Sequence, residues 1–289
     1  MMDRRACRQI LLAGSAALWS AGALAAPPSA AASPSAASAP AATPAAPAPL
    51  PVLAPAPSKA EAAAALGRGL QAIAAHDDAA ALPLLETVLA SDPESLRAAS
   101  EYRQAAIRLA AYDRALGFFE ALAQAHPDSA NAELNWGYAY VDKIPSEGAI
   151  SRVILADSAL RHFTRSLEIR KTWIGLYTRG NSYLFWPKVF NRVPLAVADL
   201  EEAVAMSKSQ PKRRVYARAW VALGDAYWQS DQRERARATW QEGLRLFPGD
   251  QRLLTRLGKS DEEIAAYLYE QLDPSLRVDT NLADLWADE

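Results

Sequence analysis

From Ser58 onward, apolar residues recur at i, i+3, i+4 and i+7, the spacing of helices with one buried face, and alternating β-branched patterns are scarce. The chain therefore reads as all-α, a succession of amphipathic helices. The clearest stretch runs from Arg213 to Asp250. Trp220, Leu223, Gly224 and Tyr227 share one helix, Ala236, Trp240 and Gly243 the next, and Pro248 ends it. Small residues at 224 and 236 let two antiparallel helices approach, large aromatics fill the space beside them, and a proline cannot continue the second helix.

The same positions return at a fixed distance. Gly69, Arg103 and Gly137 are 34 residues apart, and Gly258 lies 34 after Gly224. Pro93 and Pro127 repeat the spacing, Ala81 and Ala115 take the place of Ala236, and Leu85 and Phe119 that of Trp240. A period of 20–50 residues is the mark of a stacked repeat array. Arg103 replaces the expected small residue, so the second unit is expected to pack less closely. Two units are stretched: Gly137 to Gly180 spans 43 residues and Gly180 to Gly224 spans 44. The first surplus falls at Val141 to Ser151, where Ile144-Pro145-Ser146-Glu147-Gly148 predicts a loop. The second falls at Trp186 to Val193, with Pro187 ending one helix and Pro194 suited to the first turn of the next.

Read as W-x2-L-G-x2-Y followed by A-x3-W-x2-G-x4-P, residues 220–248 resemble the tetratricopeptide repeat (TPR) family. The resemblance covers about Ser58 to Leu257 and implies a right-handed α-solenoid of about five helix pairs. A C-terminal capping helix follows at Asp261–Gln271, and the acidic tail from Asp273 is expected to add a short helix through Leu282, Leu285 and Trp286. The stretched units resemble a subgroup of exported bacterial members. The first helices of such an array line its inner surface, where family members hold peptides. Carried onto this chain, those groove positions are Arg97, Gln104, Asn131, Leu134, Tyr138, Tyr177, Asn181, Leu184, Arg218, Asp225 and Trp228. The family's clamp for a terminal carboxylate needs cations that this set lacks: only Asn181 matches, and Tyr177 stands in a cation's place. The implied function is a scaffold that binds a protein or peptide in its concave groove. The alternative is an accessory ligand-binding component of an envelope transporter or enzyme complex, which calls for a closed pocket lined by Trp186, Tyr177 and Tyr183.

The start of the chain differs in kind. Arg4, Arg5 and Arg8 precede a 16-residue apolar run, Ile10 to Ala25, ending in Ala23-Leu24-Ala25. This is the layout of a cleaved secretory signal at residues 1–25, and it predicts a periplasmic or secreted protein. A retained anchor is the rival reading, for which the run is short. Residues 26–57 hold 14 Ala, 10 Pro and no charge, an Ala/Pro-rich tether rather than a helix.

Composition removes other classes. With 31 Lys+Arg against 33 Asp+Glu, the net charge is −2, without the basic excess of a nucleic-acid binder. One cysteine, Cys7, excludes a disulfide framework or a cysteine-based metal site. No apolar run reaches the length of an internal membrane span. His76, His126 and His162 have no metal-pairing neighbour at i+4. Gly67-Arg68-Gly69-Leu70-Gln71-Ala72 matches a dinucleotide pattern only formally, since no strand precedes it. Asp279, Asn281, Asp284 and Asp288 lack the glycine and spacing of a calcium loop. No enzyme, cofactor or metal is expected. The Trp186–Asn191 insert, with Trp186 and Phe190, is expected to fold over the gap left by its extra residues or to form a rim or contact surface.

Overall fold

A computed structural model describes residues 57–273 and 278–287; the expected signal and nearly all of the tether lie outside the described residues. The described chain is helical, and it forms five antiparallel pairs: α1 (Lys59–Ala74) with α2 (Asp78–Ser91), α3 (Leu96–Arg108) with α4 (Tyr112–Ala125), α5 (Ala130–Lys143) with α6 (Ala149–Ile169), α7 (Trp173–Tyr183) with α8 (Val193–Lys208), and α9 (Ala217–Gln229) with α10 (Arg233–Leu246). α11 (Gln251–Leu257) and α12 (Asp261–Gln271) close the array. The starts are written locally. Ser58 and Ser260 form capping boxes with Glu61 and Glu263, and Asp77, Ser95, Ser129, Thr172 and Asp250 accept hydrogen bonds from the first free N–H groups.

The small positions lie where helices meet. A Cβ built on Gly69 would sit 3.2 Å from Leu85, on Gly137 2.4 Å from Phe163, on Gly180 2.8 Å from Leu200, and on Gly224 2.0 Å from Trp240. In each pair the first helix presents its glycine to the large side chain of the second. Gly258 departs from this, facing only the carbonyl of Leu254 in the turn before it. Where Arg103 replaces the glycine, α3 and α4 approach less closely than the other pairs. Tyr102, Phe118 and Phe119 fill that gap with ring centroids 5.0–5.6 Å apart.

The first surplus is not only a loop. Residues 144–146 form one 3-10 turn, and α6 then starts at Ala149, so its 21 residues include turns that the proline and glycine pattern assigns to the connection. After Gly148 no glycine or proline interrupts the run Ile150-Ser151-Arg152-Val153-Ile154-Leu155, and the helix propagates backward from its packed half. The second surplus is a loop with a 3-10 turn at Lys188–Phe190 and a left-handed residue, Asn191 (φ 48°). Pro194 takes the first turn of α8.

Among its described residues, 278–287, the acidic tail forms no α-helix where one was expected: its one helical turn is the 3-10 turn Ala283–Leu285. The segment is too short to offset the cost of helix nucleation, and its polar atoms find partners elsewhere.

Ion pairs tie neighbouring units. Asp78 accepts two 2.7 Å hydrogen bonds from Arg108, which hold its carboxyl below the usual 3.8. Burial would raise Glu94 and Asp250, yet hydrogen bonds from Ser129 and Arg170 to the first, and from Arg252 to the second, leave both below their ordinary values. Carboxyls lowered in the folded state contribute stability above the ordinary carboxylate range and lose it as pH falls through the lower folded values. The urea midpoint is expected to be flat above about pH 5 and to fall below about pH 4. Asp78→Asn is expected to shrink that fall, as a chemical-denaturation series in pH would show.

Candidate functional site

The first helices, α3, α5, α7, α9, together with α11, form the inner layer, and the C-terminal segment lies along it. At one end Arg103 of α3 is fully buried. Its guanidinium donates to Asn135 (3.1 Å), to Asp142 of α5 (3.0 Å) and to the main-chain carbonyl of Thr280 (2.9 Å). The Thr280 hydroxyl donates to the same Asp142, and Gln104 reaches that hydroxyl at 3.5 Å. The main-chain N–H of Leu282 donates to Ser100 (3.1 Å), and its side chain joins the main core. Farther along, Arg218 of α9 donates to Asp284 at 2.7 and 3.0 Å, and Arg213 donates to the carbonyl of Leu285. Arg252 of α11 is 3.9 Å from Asp284, and the Arg97 guanidinium lies 6.0 Å from the centre of the Trp286 ring. Burial disfavours the Arg218 charge, but Tyr177 and Asp284 outweigh it and hold its pKa above the usual value.

The groove is thus a basic inner surface holding an acidic, apolar peptide in place. Main-chain atoms of Thr280, Leu282 and Leu285 are gripped by side chains, and Thr280 and Leu282 are buried. Arginines are suited to this because the planar fork binds carboxylates and carbonyls in fixed directions.

The sequence-derived groove positions separate into groups. Arg97, Gln104 and Arg218 touch the tail. Asn131 is engaged by Glu94, donating to its carbonyl at 2.8 Å. Tyr177 stacks on Trp173 at 5.3 Å. Leu134, Leu184, Asp225 and Trp228 are buried in packing, which corrects their assignment as partner-contacting positions. Asp225 pairs with Arg256 through two 2.6 Å hydrogen bonds, and Trp228 stacks on Trp240. Tyr138 is buried as well, its hydroxyl 2.5 Å from Thr178 and its pKa pushed up to about 12 by burial. An inner-surface position in an even array becomes a core position where the next unit or the tail covers it. Sequence reasoning missed Arg103, Ser100, Asp142, Arg213 and Arg252. Only Arg103 carried a signal, its break in the glycine register.

Asn181 lies apart from the groove, in the wall of a cavity of about 290 Å³ between the two stretched units. Trp186 lines this cavity, but Tyr177 and Tyr183 do not, so it is not the pocket anticipated from the sequence.

Residues 217–260 match the family model for the tetratricopeptide repeat. The matched segment is a tetratricopeptide repeat, and the chain has the TPR fold. Among solved structures, this TPR chain is similar to TTC0263, a thermophilic TPR protein of Thermus thermophilus, with 21% identity, 68% of this chain and 97% of that one covered, and a TM-score of 0.50. It also aligns with the MamA protein at 15% identity, 65% of this chain and 93% of that one, with a TM-score of 0.44. The first of these supports the TPR fold alone. No curated protein matches the TPR chain. Stacked repeats of this kind offer an extended inner surface for protein partners. Among the described residues, no helix is long and apolar enough to cross a membrane, and no group of three His, Cys, Asp or Glu could hold a metal ion.

Proposed function

We propose that this protein is an exported, non-catalytic TPR scaffold whose inner groove binds an extended acidic peptide of a protein partner. The observation that carries the reading is the groove's own occupant: an acidic segment held through its main chain by Arg103, Ser100 and Arg213 and through Asp284 by Arg218. A surface able to seat that segment has the donors to seat another of the same chemistry. The tail is tethered by only a few residues, so its local concentration is on the order of millimolar. A free partner must therefore outcompete it or meet it released.

The test uses the full chain with Leu282→Asp and Trp286→Ala, changes that remove two of the tail's three apolar anchors, Leu285 being the third. A labelled peptide of residues 278–289 is expected to bind this variant at least about tenfold more tightly than the unaltered chain, because the cis competitor is gone. Binding is also expected to weaken with salt, since arginines carry it. Equal affinity for both chains, or none for either, would remove the groove reading. Export rests on the Arg4–Ala25 pattern and predicts a mature chain beginning at Ala26 in the periplasmic or secreted fraction. N-terminal sequencing that finds Met1–Ala25 retained would overturn that part alone.

A further inference from the structure

The cavity between the stretched units has the build of a small-molecule site. Its volume of about 290 Å³ stands at the lower edge of ligand pockets, which run from roughly 300 to 1,000 Å³. Its walls are apolar almost throughout, with Val141, Ala156, Phe185 and Trp186 inside and Asn181 and Ser182 as the uncharged polar groups. The Ser182 hydroxyl donates to the Thr178 carbonyl, while the Asn181 side chain makes no hydrogen bond to another described residue. Both surpluses over the 34-residue period build this space: the added turns of α6 form one wall and the 186–192 loop the other. Residues unnecessary to the repeat therefore converge on one cavity.

The mouth is apolar and cationic together. Val153 and Phe190 of the lining, with Ile150, Ile154 and Val189 beside lining residues in the chain, are five of the nine exposed large apolar side chains among the described residues, with Ile150 82% and Val189 85% exposed. Arg152 lines the cavity, Lys188 follows the lining residue Pro187 on the same loop, and Arg192 packs over the ring of the lining residue Trp186. Most other arginines and lysines of the described chain have a carboxylate partner, but none of these three does. Arg152 donates to the Glu147 carbonyl, and Arg192 lies 5.0 Å from the centre of the Trp186 ring. No Asp or Glu occurs in 148–156 or 184–195. A core-covering loop needs no such set of unpaired cations.

We infer that this cavity binds a single-chain anionic amphiphile, with the alkyl chain against Trp186 and Phe185 and the acidic head at Arg152, Lys188 and Arg192. The volume suits one chain rather than two. The charge complementarity selects a carboxylate head over a neutral one.

The experiment titrates the full chain with palmitate below its micelle concentration, by calorimetry. Monopalmitoylglycerol, with the same chain and no charge, serves as the comparison. One saturable palmitate site is expected, with the neutral compound at least about tenfold weaker, the ratio a single charge-assisted contact supplies. The triple variant Arg152→Gln, Lys188→Gln, Arg192→Gln is expected to bring the two compounds to within about twofold of each other. Lys188 is exposed, Arg152 and Arg192 are half-buried, and none of the three has a carboxylate partner to strand, so the variant is expected to fold. Ala156→Phe, which fills the cavity, is expected to abolish both. Palmitate binding that survives both variants would place the chain elsewhere and overturn the inference. So would absence of palmitate binding, including the case where the protein sediments only with phosphatidylglycerol vesicles, which would mark the apolar mouth as a membrane contact.

Discussion

Arg103→Ala is expected to cost about 3–5 kcal/mol of folding stability, the usual loss when one member of a buried ion pair is removed. Arg103 is fully buried and its partner Asp142 is 5% exposed, so water cannot replace the lost guanidinium. Three acceptors lose a donor at once: the Asn135 amide, the Asp142 carboxylate and the Thr280 carbonyl. The substitution therefore also unfastens the tail from the groove, and limited proteolysis is expected to cut residues 278–289 at protein concentrations where the unaltered chain resists. Asp142→Leu added to Arg103→Met is expected to recover part of the loss, since an apolar pair of similar volume leaves no stranded charge. Urea unfolding of these chains tests this. A loss below about 1 kcal/mol for Arg103→Ala would show that the buried site relaxes or hydrates.

Gly224→Ala is expected to cost more than the roughly 1–3 kcal/mol typical of an overpacked core. The added Cβ would lie 2.0 Å from Trp240 Nε1 and 2.3 Å from its Cδ1. The ring has nowhere to retreat. Trp240 is fully buried, its Nε1 donates to the Val221 carbonyl at 3.2 Å, and Trp228 stacks on it at 5.9 Å. The relief must come from α9 moving away from α10, which would open the most regular pair of the array. In a Trp240→Phe background the smaller ring leaves room, and the same alanine is expected to cost at least about 1 kcal/mol less, a coupling that a double-mutant cycle reads directly. Gly67→Ala is the control: nothing lies within 4 Å of its Cβ, and helix propensity is expected to make it stabilising by about 0.5–1 kcal/mol.

The repeat register shows how much a sequence can say. Gly69, Gly137, Gly180 and Gly224 are marked by spacing alone; Gly69 and Gly224 meet the large residues marked for them, Leu85 and Trp240, and Gly137 and Gly180 meet Phe163 and Leu200 of the paired helices. Close helix approach demands a small residue at one point and a bulky one opposite, and this demand recurs with every stacked unit. The helix start at Ser260 is legible for a similar reason, because a cap is satisfied by atoms three residues away. The extra turns of α6 are not, since the proline and glycine of 145–148 hide a helix that begins one residue later.

The sequence by itself determined the helix pairs, their period and the two places where the period stretches, because those follow from contacts within one unit and its neighbour. Only the tertiary structure decided what fills the groove and what the stretched units enclose. Thr280 meets Arg103 across 177 residues of chain, and Val141 meets Trp186 only through a shared cavity wall. Such contacts impose no period and leave no local pattern. They arise when an irregular tail finds unpaired donors on a curved surface, and when two unrelated insertions come to rest side by side.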